Sequence, residues 1–370
     1  MFTLHPLRTL RDRNEFLRVP RSIYPRDSPW IQPLDMVMKS FLDRRNPFFE
    51  DGIGQGFLLR RQGEPVGRIM AHVWKRHRRL HGERVGYFGF FECINDSRGA
   101  ELLLETAADF ARQQACDVLR GPFNMTGAQE AGIVVEGFEH PPAIDMVYTA
   151  DWYPSLLEMN GFRRCLQMET RANATIGSLD PDRIRSSPAD STIGSALRLR
   201  CLQPFDRNHE MEAVREVVNA SFLGNWGFVP ITRKEWELQT GALLPLLDRS
   251  LVILATIQNV IVGVTLAVPD FNRVFAKTGG RLVHPASMAL LRPSRLKSVV
   301  VILCAVRKQY QGLGIARLLN TELLRNMRRR GYQRLATTWI GGENSASLAS
   351  TDAFGMHRMH TVAMYERTIA

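Results

Sequence analysis

The apolar positions of this chain change period along its length, and the changes mark the elements. Gly56 to Val73, GFLLRRQGEPVGRIMAHV, holds two apolar runs about a Gln62-Gly63-Glu64 turn and predicts a hairpin. Arg84 to Cys93, RVGYFGFFEC, predicts a third strand. From Glu101 to Gln113 the period becomes helical, with Leu103, Thr106, Ala107, Phe110 and Ala111 on one stripe. Asn95 to Gly99 reads as the loop before it. Cys116 to Phe123 predicts the next strand, a polar loop runs from Asn124 to about Pro142, and Tyr153 to Asn160 predicts a short helix stopped by Gly161. Residues 1–50 read as short helical pieces broken by Pro20, Pro25, Pro29 and Pro33.

Residues 172–195 are rich in Ser, Asp, Gly and Pro and predict a linker between a domain at 1–171 and a second at 196–370. The second half repeats the order of the first. Asn208 to Phe222 and Thr232 to Leu247 are helical, with the loop Asn225 to Pro230 between them. Leu251 to Gln258 and Val260 to Pro269 form a hairpin in which Gly263 is placed like Gly67. An insert, Asp270 to Lys297, follows. Val299 to Val306 is a continuous apolar run that reads as a buried strand. Arg307 to Gly314, RKQYQGLG, is a polar loop with two glycines. Ile315, Leu318, Leu319, Leu323 and Met327 then fall at helical spacing. Strand, glycine loop and helix in this order suit a pyrophosphate, because free N–H groups at the helix start face the anion. Arg334 to Ile340 is a strand, Asn344 to Phe354 a helix, and His360 to Ile369 a last strand. The repeat, about 150 residues long, is visible in pattern and not in identity.

The 370 residues include 45% hydrophobic and 23% charged side chains, as in globular proteins, and no apolar run is long enough to span a membrane or to make a secretory signal. Five scattered cysteines, none in a C-x-x-C pair, predict small core residues in a reducing cytoplasm and no zinc site. The net charge of +11 is carried mainly by arginine, in Trp74 to Arg84 and Arg325 to Arg334. An anionic membrane surface, an anionic cofactor, nucleic acid and a merely solvated face all fit it. No zinc finger or RNP-type strand accompanies the charge, which argues against nucleic acid.

Gln309-Tyr310-Gln311-Gly312-Leu313-Gly314, preceded by Cys304-Ala305-Val306 and followed by Asn344, resembles the pyrophosphate loop of the GNAT acyl-CoA-dependent N-acyltransferases. The first half resembles a GNAT domain whose loop, Asn95 to Ala100, has degenerated. A narrower resemblance rests on Asn46 to Glu50, Gly63 to Ile69, Tyr87 to Glu92, Arg120 to Asn124, Glu136 to Phe138, Val268 to Asn272 and Trp339-Ile340 with Glu343-Asn344. These stretches look like the tandem GNAT proteins of the bacterial ceramide synthase-like family. The resemblance implies an α+β fold of two GNAT-like domains, each a mixed twisted sheet flanked by helices. It also implies fatty acyl transfer from acyl-CoA to a lipid amine, a sphingoid base of 3-oxosphinganine type, without a metal, in the cytoplasm or at the inner membrane face. Acetyl transfer to a small-molecule or protein amine is the alternative within the same fold.

Acyl transfer to an amine requires a held pyrophosphate, a deprotonated amine, and donors for the oxyanion and the leaving thiolate. The candidate cofactor-binding residues are Val306, Gln309, Gln311, Gly312, Leu313, Gly314, Ile315, Ala316 and Asn344, with Arg307, Lys308 and Arg317 as cations. The resemblance implies the backbone of Leu303 to Val306 as the oxyanion site and leaves Cys304 a packed residue. Many GNAT enzymes carry a tyrosine where this chain has Thr351, so Ser347, Ser350 or Thr351 is left to meet the sulfur. Candidate bases are Glu92, Glu136, Glu343 and Asp270, with His209 and His284 behind them. Glu92 closes a run of aromatics, where burial would raise its pKa. Trp226 and Phe228 either contact a lipid tail or pack between helices.

Overall fold

Alternation in the first half does build a sheet, and the C-terminal strand of the chain completes it. The computed structural model describes residues 1–25, 27–126, 130–181, 196–203, 207–241, 247–279 and 296–370. They fall into two units. Unit 1 is Met1–Met168 with Phe275–Arg281 and His360–Ala370; unit 2 is Glu169–Val274 with Leu282–Met359.

Unit 1 contains β1 (Phe2–Pro6), α1 (Leu10–Ile23), α2 (Asp35–Leu42), α3 (Phe48–Asp51), β2 (Gly52–Arg61), β3 (Glu64–Trp74), α4 (Lys75–His81), β4 (Val85–Cys93), α5 (Ser97–Gln113), β5 (Val118–Gly121), β6 (Ile133–Glu136), α6 (Tyr153–Met159) and the start of β7 (Arg163–Ala172). Unit 2 continues with β8 (Leu197–Cys201), α7 (Arg207–Phe222), α8 (Arg233–Gly241), β9 (Val252–Ile257), β10 (Val260–Pro269), the start of α9 (Asn272–Thr278), whose residues from Phe275 group with unit 1, β11 (Ser298–Val306), α10 (Ile315–Arg330), β12 (Arg334–Gly341) and α11 (Ser345–Ala353). β13 (His357–Thr368) closes the chain, and from His360 onward it groups with unit 1. Strand order in unit 1 is β1-β2-β3-β4-β5-β13-β7, with β6 also on β13; in unit 2 it is β12-β11-β10-β9-β8.

Three strands, β1, β6 and β8, escape the periodicity. β1 pairs with the edge of β2 through five residues, and its His5 and Pro6 mask the alternation. β6 lies inside the stretch read as a polar loop, and its four residues are too few to set a period. Pro20 does not break α1, which runs through it. A helix with proline here lacks the N–H that would reach Phe16 O. Arg68 Nη1 donates to that carbonyl instead, at 3.0 Å. The predicted linker begins as structure: β7 runs to Ala172, and Asn173 Oδ1 accepts the Leu335 N–H at 2.9 Å. Its remainder, 182–195, and residues 242–246 and 280–295 with His284 lie outside the described residues.

Each unit has its own apolar core. In unit 1 α5 lays Leu103, Leu104, Ala107 and Ala111 against the sheet, all at most 1% exposed. Gly86 gives α5 its close approach, since a Cβ there would stand 2.4 Å from Ala111 Cβ. In unit 2 Ile315, Leu319, Leu323 and Met327 form the buried stripe of α10, at most 1% exposed. Leu318 lies at the half-buried margin.

Candidate functional site

The centre of unit 2 is the place where β11 loses a neighbour. β11 and β12 pair in parallel from Ser298 opposite Arg334 to Val301 opposite Thr337, and there the pairing stops. On the other side β11 stays paired with β10, but the register slips between Leu266 and Ala267 and leaves Ile302 as an extra residue. Val299, Val300, Ala305 and Val306 are buried, whereas Val301 to Cys304 are half-buried. The run expected to be wholly buried is therefore open in the middle, because the strand that would cover it has diverged. Thr338 Oγ1 donates to Ile302 O at 3.0 Å at the start of the gap.

Alternation fixes which backbone groups face the opening. The Arg307 N–H donates to Val262 O at 2.9 Å, so Leu303 and Ala305 also turn their backbone groups to β10. Cys304 and Val306 turn theirs toward the gap. Val306 is clamped there: Ser221 Oγ accepts its N–H at 3.2 Å and donates to its carbonyl at 2.9 Å, and Gln311 Nε2 donates to the same carbonyl at 2.9 Å. The Cys304 thiol lies on the other side, against Thr265 Oγ1 at 3.3 Å, and burial pushes its pKa up. A raised thiol is a poor nucleophile.

The glycine loop leads from this strand into α10. Gly312 and Gly314 have φ of 76° and 77°, a region that side chains avoid. Gly314 is the N-cap, and no side chain caps the helix. A Cβ on Gly312 would meet nothing within 4 Å. The first N–H groups of α10, at Ile315, Ala316 and Arg317, thus start the helix without a side-chain cap, with the dipole of a 16-residue helix behind them. Lys308 and Gln311 are exposed beside it. This is a fitting cradle for the pyrophosphate of a CoA thioester.

Unit 1 has the same parts with each opening filled. β4 and β5 pair in parallel only from Val85–Val118 to Tyr87–Arg120, and β3 slips register between Arg68 and Met70. The Phe123 N–H then donates to Phe88 O at 2.7 Å, and Asn124 Oδ1 accepts the Phe90 N–H at 2.6 Å. Gly89 is required there, since a Cβ would stand 2.4 Å from Phe123 O. Cys93, the residue opposite Gly67 as Val306 is opposite Gly263, is bound by Tyr153 Oη and Trp152 Nε1, each at 3.1 Å. The start of α5 is capped by Asp96, whose Oδ1 accepts the Gly99 N–H at 3.0 Å. α5 also begins at Ser97, inside the stretch read as loop.

Residues 211–356 match the family model for the acetyltransferase (GNAT) family. Across 100% of the chain the fold is similar to a tandem GNAT protein from the clavulanic acid biosynthesis pathway, covering 99% of that chain at 13% identity with a TM-score of 0.58. The chain is a GNAT-fold acyltransferase. Members of the family use an acyl- or acetyl-CoA thioester as cosubstrate. The acyltransferase is 28% identical over 98% of its length to Protein YghO of Escherichia coli strain K12, covering 95% of that protein. It is 26% identical, over 98% of its length and 97% of the relative, to Bacterial ceramide synthase of Caulobacter vibrioides. A GCN5-related N-acetyltransferase from Sphaerobacter thermophilus is similar in fold across 100% of the chain, at 15% identity and a TM-score of 0.54.

The cofactor candidates Val306, Gln309, Gln311, Gly312, Leu313, Gly314, Ile315 and Ala316 come together at one end of β11 in unit 2. Asn344 lies in the same unit as the N-cap of α11, where its Oδ1 accepts the Ser347 N–H at 3.1 Å. Glu343 is exposed and Ser347 half-buried. Thr351 is buried, and its hydroxyl is committed: it donates to Leu348 O at 2.7 Å and accepts from Arg171 Nη1 at 3.0 Å. Trp226 is 45% exposed, while Phe228 packs edge-on against Phe222 at 5.8 Å. Glu92 and Glu136 belong to unit 1. Glu136 is exposed at the end of β6 and accepts from Thr361 Oγ1 at 2.7 Å. Glu92 is buried and bound by Tyr153 Oη at 2.6 Å, Tyr24 Oη at 2.9 Å and Arg68 Nη2 at 3.4 Å. Burial raises its pKa, with Arg68 and the two tyrosines pulling the other way. Among the described residues no group of three or more His, Cys, Asp or Glu is arranged to hold a metal ion.

Sequence reading missed two carboxyls of unit 1. Desolvation, with the charge of Asp145 adding to it, raises Glu130 to about 7; Asn124 Nδ2 donates to this carboxylate at 3.2 Å. Asp145 keeps solvent access on one side, yet the protein around its other sides desolvates it and raises it to about 7 as well. Its φ of 63° is unusual for a residue other than glycine. Both residues sit in stretches without a hydrophobic period, so nothing in the pattern singles them out.

Proposed function

We propose that this acyltransferase moves a fatty acyl group from acyl-CoA to the amine of a sphingoid base of 3-oxosphinganine type. The observation that carries the reading is the whole-length similarity to a protein named Bacterial ceramide synthase, supported by the uncapped start of α10 and the strand gap beside β11 in unit 2. In this reading the first turn of α10 and the loop from Gln309 to Gly314 hold the pyrophosphate, with Arg307, Lys308 and Arg317 offsetting its charge. The thioester carbonyl lies in the gap beside β11, and the Cys304 N–H, which faces it, stabilises the oxyanion. The amine nitrogen bonds to the carbonyl carbon, the C–S bond breaks, and CoA leaves as the thiolate. Ser347 is the hydroxyl we assign to the sulfur, because the hydrogen of Thr351 is spent on Leu348 O. The acyltransferase would act at the cytoplasmic face of the membrane, where both substrates partition.

Acetyl transfer to a small-molecule or protein amine is the second reading, and the name of the matching family model favours it. Purified protein mixed with palmitoyl-CoA and 3-oxosphinganine separates the two. The first reading expects free CoA and an N-acylated lipid in equal amounts. Turnover of acetyl-CoA with soluble amines and none with the lipid amine would support the second.

A further inference from the structure

The loop between α7 and α8 presents apolar side chains at a tip. Leu223 is 46% and Trp226 45% exposed, large values for residues of this kind. The base of the loop is pinned. Phe222 and Phe228 pack edge to face at 5.8 Å and 88°, the Asn225 N–H donates to Phe222 O at 2.9 Å, and the Phe228 N–H donates to Asn225 O at 3.1 Å. Gly224 and Gly227, with φ of 97° and 63°, make the two sharp bends. The tip is therefore a formed wedge that shows Leu223 and Trp226 without prior ordering.

Charge accompanies the apolar tip. No acidic residue lies between Phe222 and Phe228. The Lys308 ammonium would be 3.5 Å from a Cβ on Gly224, and Lys308 is exposed. An aromatic and an aliphatic side chain beside a cation, on a chain of net charge +11, match the boundary between acyl chains and anionic headgroups. The same loop follows directly on Ser221, which clamps Val306 at the gap. We propose that the wedge Phe222–Phe228 is a membrane-docking element that seats the opening of unit 2 against a bilayer bearing anionic lipid. A lipid amine as acceptor gives this contact its purpose, so its role, though not its geometry, rests on the function proposed above.

The test is sedimentation of the full-length protein with vesicles of equal parts phosphatidylglycerol and phosphatidylcholine. These lipids offer no primary amine, so binding to them is not binding of acceptor. Wild type is expected to sediment with these vesicles and weakly with pure phosphatidylcholine. Leu223→Ser, at an exposed position that leaves folding intact, is expected to lower the partition coefficient about tenfold, the size expected for one buried leucine. Tryptophan emission should shift to the blue on vesicle addition, and Trp226→Phe should remove that shift. Equal partition of wild type and Leu223→Ser would overturn the proposal and assign the binding to diffuse charge. Failure of wild type to sediment would overturn it too. Docking through Leu223 in a protein that does not acylate 3-oxosphinganine would leave the wedge standing and remove the assigned acceptor.

Discussion

Asp96 Oδ1 accepts the Gly99 N–H at 3.0 Å, so the chain's own carboxylate occupies the anion position at the start of α5. In unit 2 Gly314 stands at the corresponding cap, and no side chain fills the place. Two units of similar order thus differ in whether the helix dipole is already satisfied. A second anion in front of α5 would meet Asp96, and the strand gap behind it is closed by Asn124. One acyl-CoA per chain is the expected stoichiometry. Equilibrium dialysis with acetyl-CoA or a soluble medium-chain acyl-CoA checks it, and two equivalent sites would contradict it.

Gly312→Val tests the cradle without touching the core. A Cβ there meets none of the described atoms within 4 Å, so its effects are the φ of 76° and the crowding of the open loop. The strain should cost about 1–2 kcal/mol, lowering the melting temperature by a few degrees. Acyl-CoA affinity should fall by about tenfold or more, as expected for losing close backbone contact with the phosphates. Unchanged affinity would mean that the glycine serves only the turn.

Ser221 holds both backbone groups of Val306 through one hydroxyl. Ser221→Ala removes two hydrogen bonds beside the gap and should destabilise the fold by about 1–2 kcal/mol. Because Val306 then shifts relative to Cys304, kcat should fall more than the melting temperature suggests. Ser221→Thr, which retains the hydroxyl, should recover part of kcat. Urea unfolding and steady-state kinetics on the two variants separate the effects.

The Glu92 network is expected to matter first for stability. Glu92→Gln leaves Arg68 buried without its carboxylate, while Arg68 still serves the Phe16 carbonyl that Pro20 cannot. A loss of about 3 kcal/mol is expected for breaking such a buried pair. Thermal unfolding measures it, and a change below about 0.5 kcal/mol, the range of ordinary surface substitutions, would show that the two tyrosines suffice.

Glu130 and Asp145 give a pH signature with a definite sign. Their folded pKa values, about 7, lie above the ordinary carboxyl values of 4.5 and 3.8. The folded state therefore binds more protons than the unfolded one between those limits, and their contribution to stability falls as pH rises through about 7. The doubly substituted Glu130→Gln, Asp145→Asn protein should lose that decline in melting temperature.

Most of unit 2 was legible because its signals are local. An apolar β-branched run, two glycines forced to positive φ and a helical stripe from Ile315 to Met327 each follow from near neighbours in sequence. The tandem repeat was legible for the same reason, in Gly67 and Gly263 at matched places in two hairpins. What periodicity does not encode is long-range. The opening of Val301 to Cys304 depends on where β12 ends its pairing, and Thr338 in β12 carries no mark of it. The closure of unit 1 depends on Asn124 reaching Phe90, 34 positions away. Asp145 and Glu130 owe their pKa values to surroundings assembled by the fold, and their sequence neighbours are ordinary. Thr351 was legible as a departure from the family tyrosine; its tie to Arg171, 180 positions distant, was not.

The open site in unit 2 is proposed to serve a long acyl chain and a lipid amine. The most direct measurement is kcat/KM across acyl-CoA donors from acetyl to palmitoyl, with 3-oxosphinganine held fixed and product identified by mass. kcat/KM should climb with chain length, and N-palmitoyl product should accumulate one-to-one with free CoA. A maximum at acetyl-CoA, or CoA release without an N-acylated lipid, would contradict it.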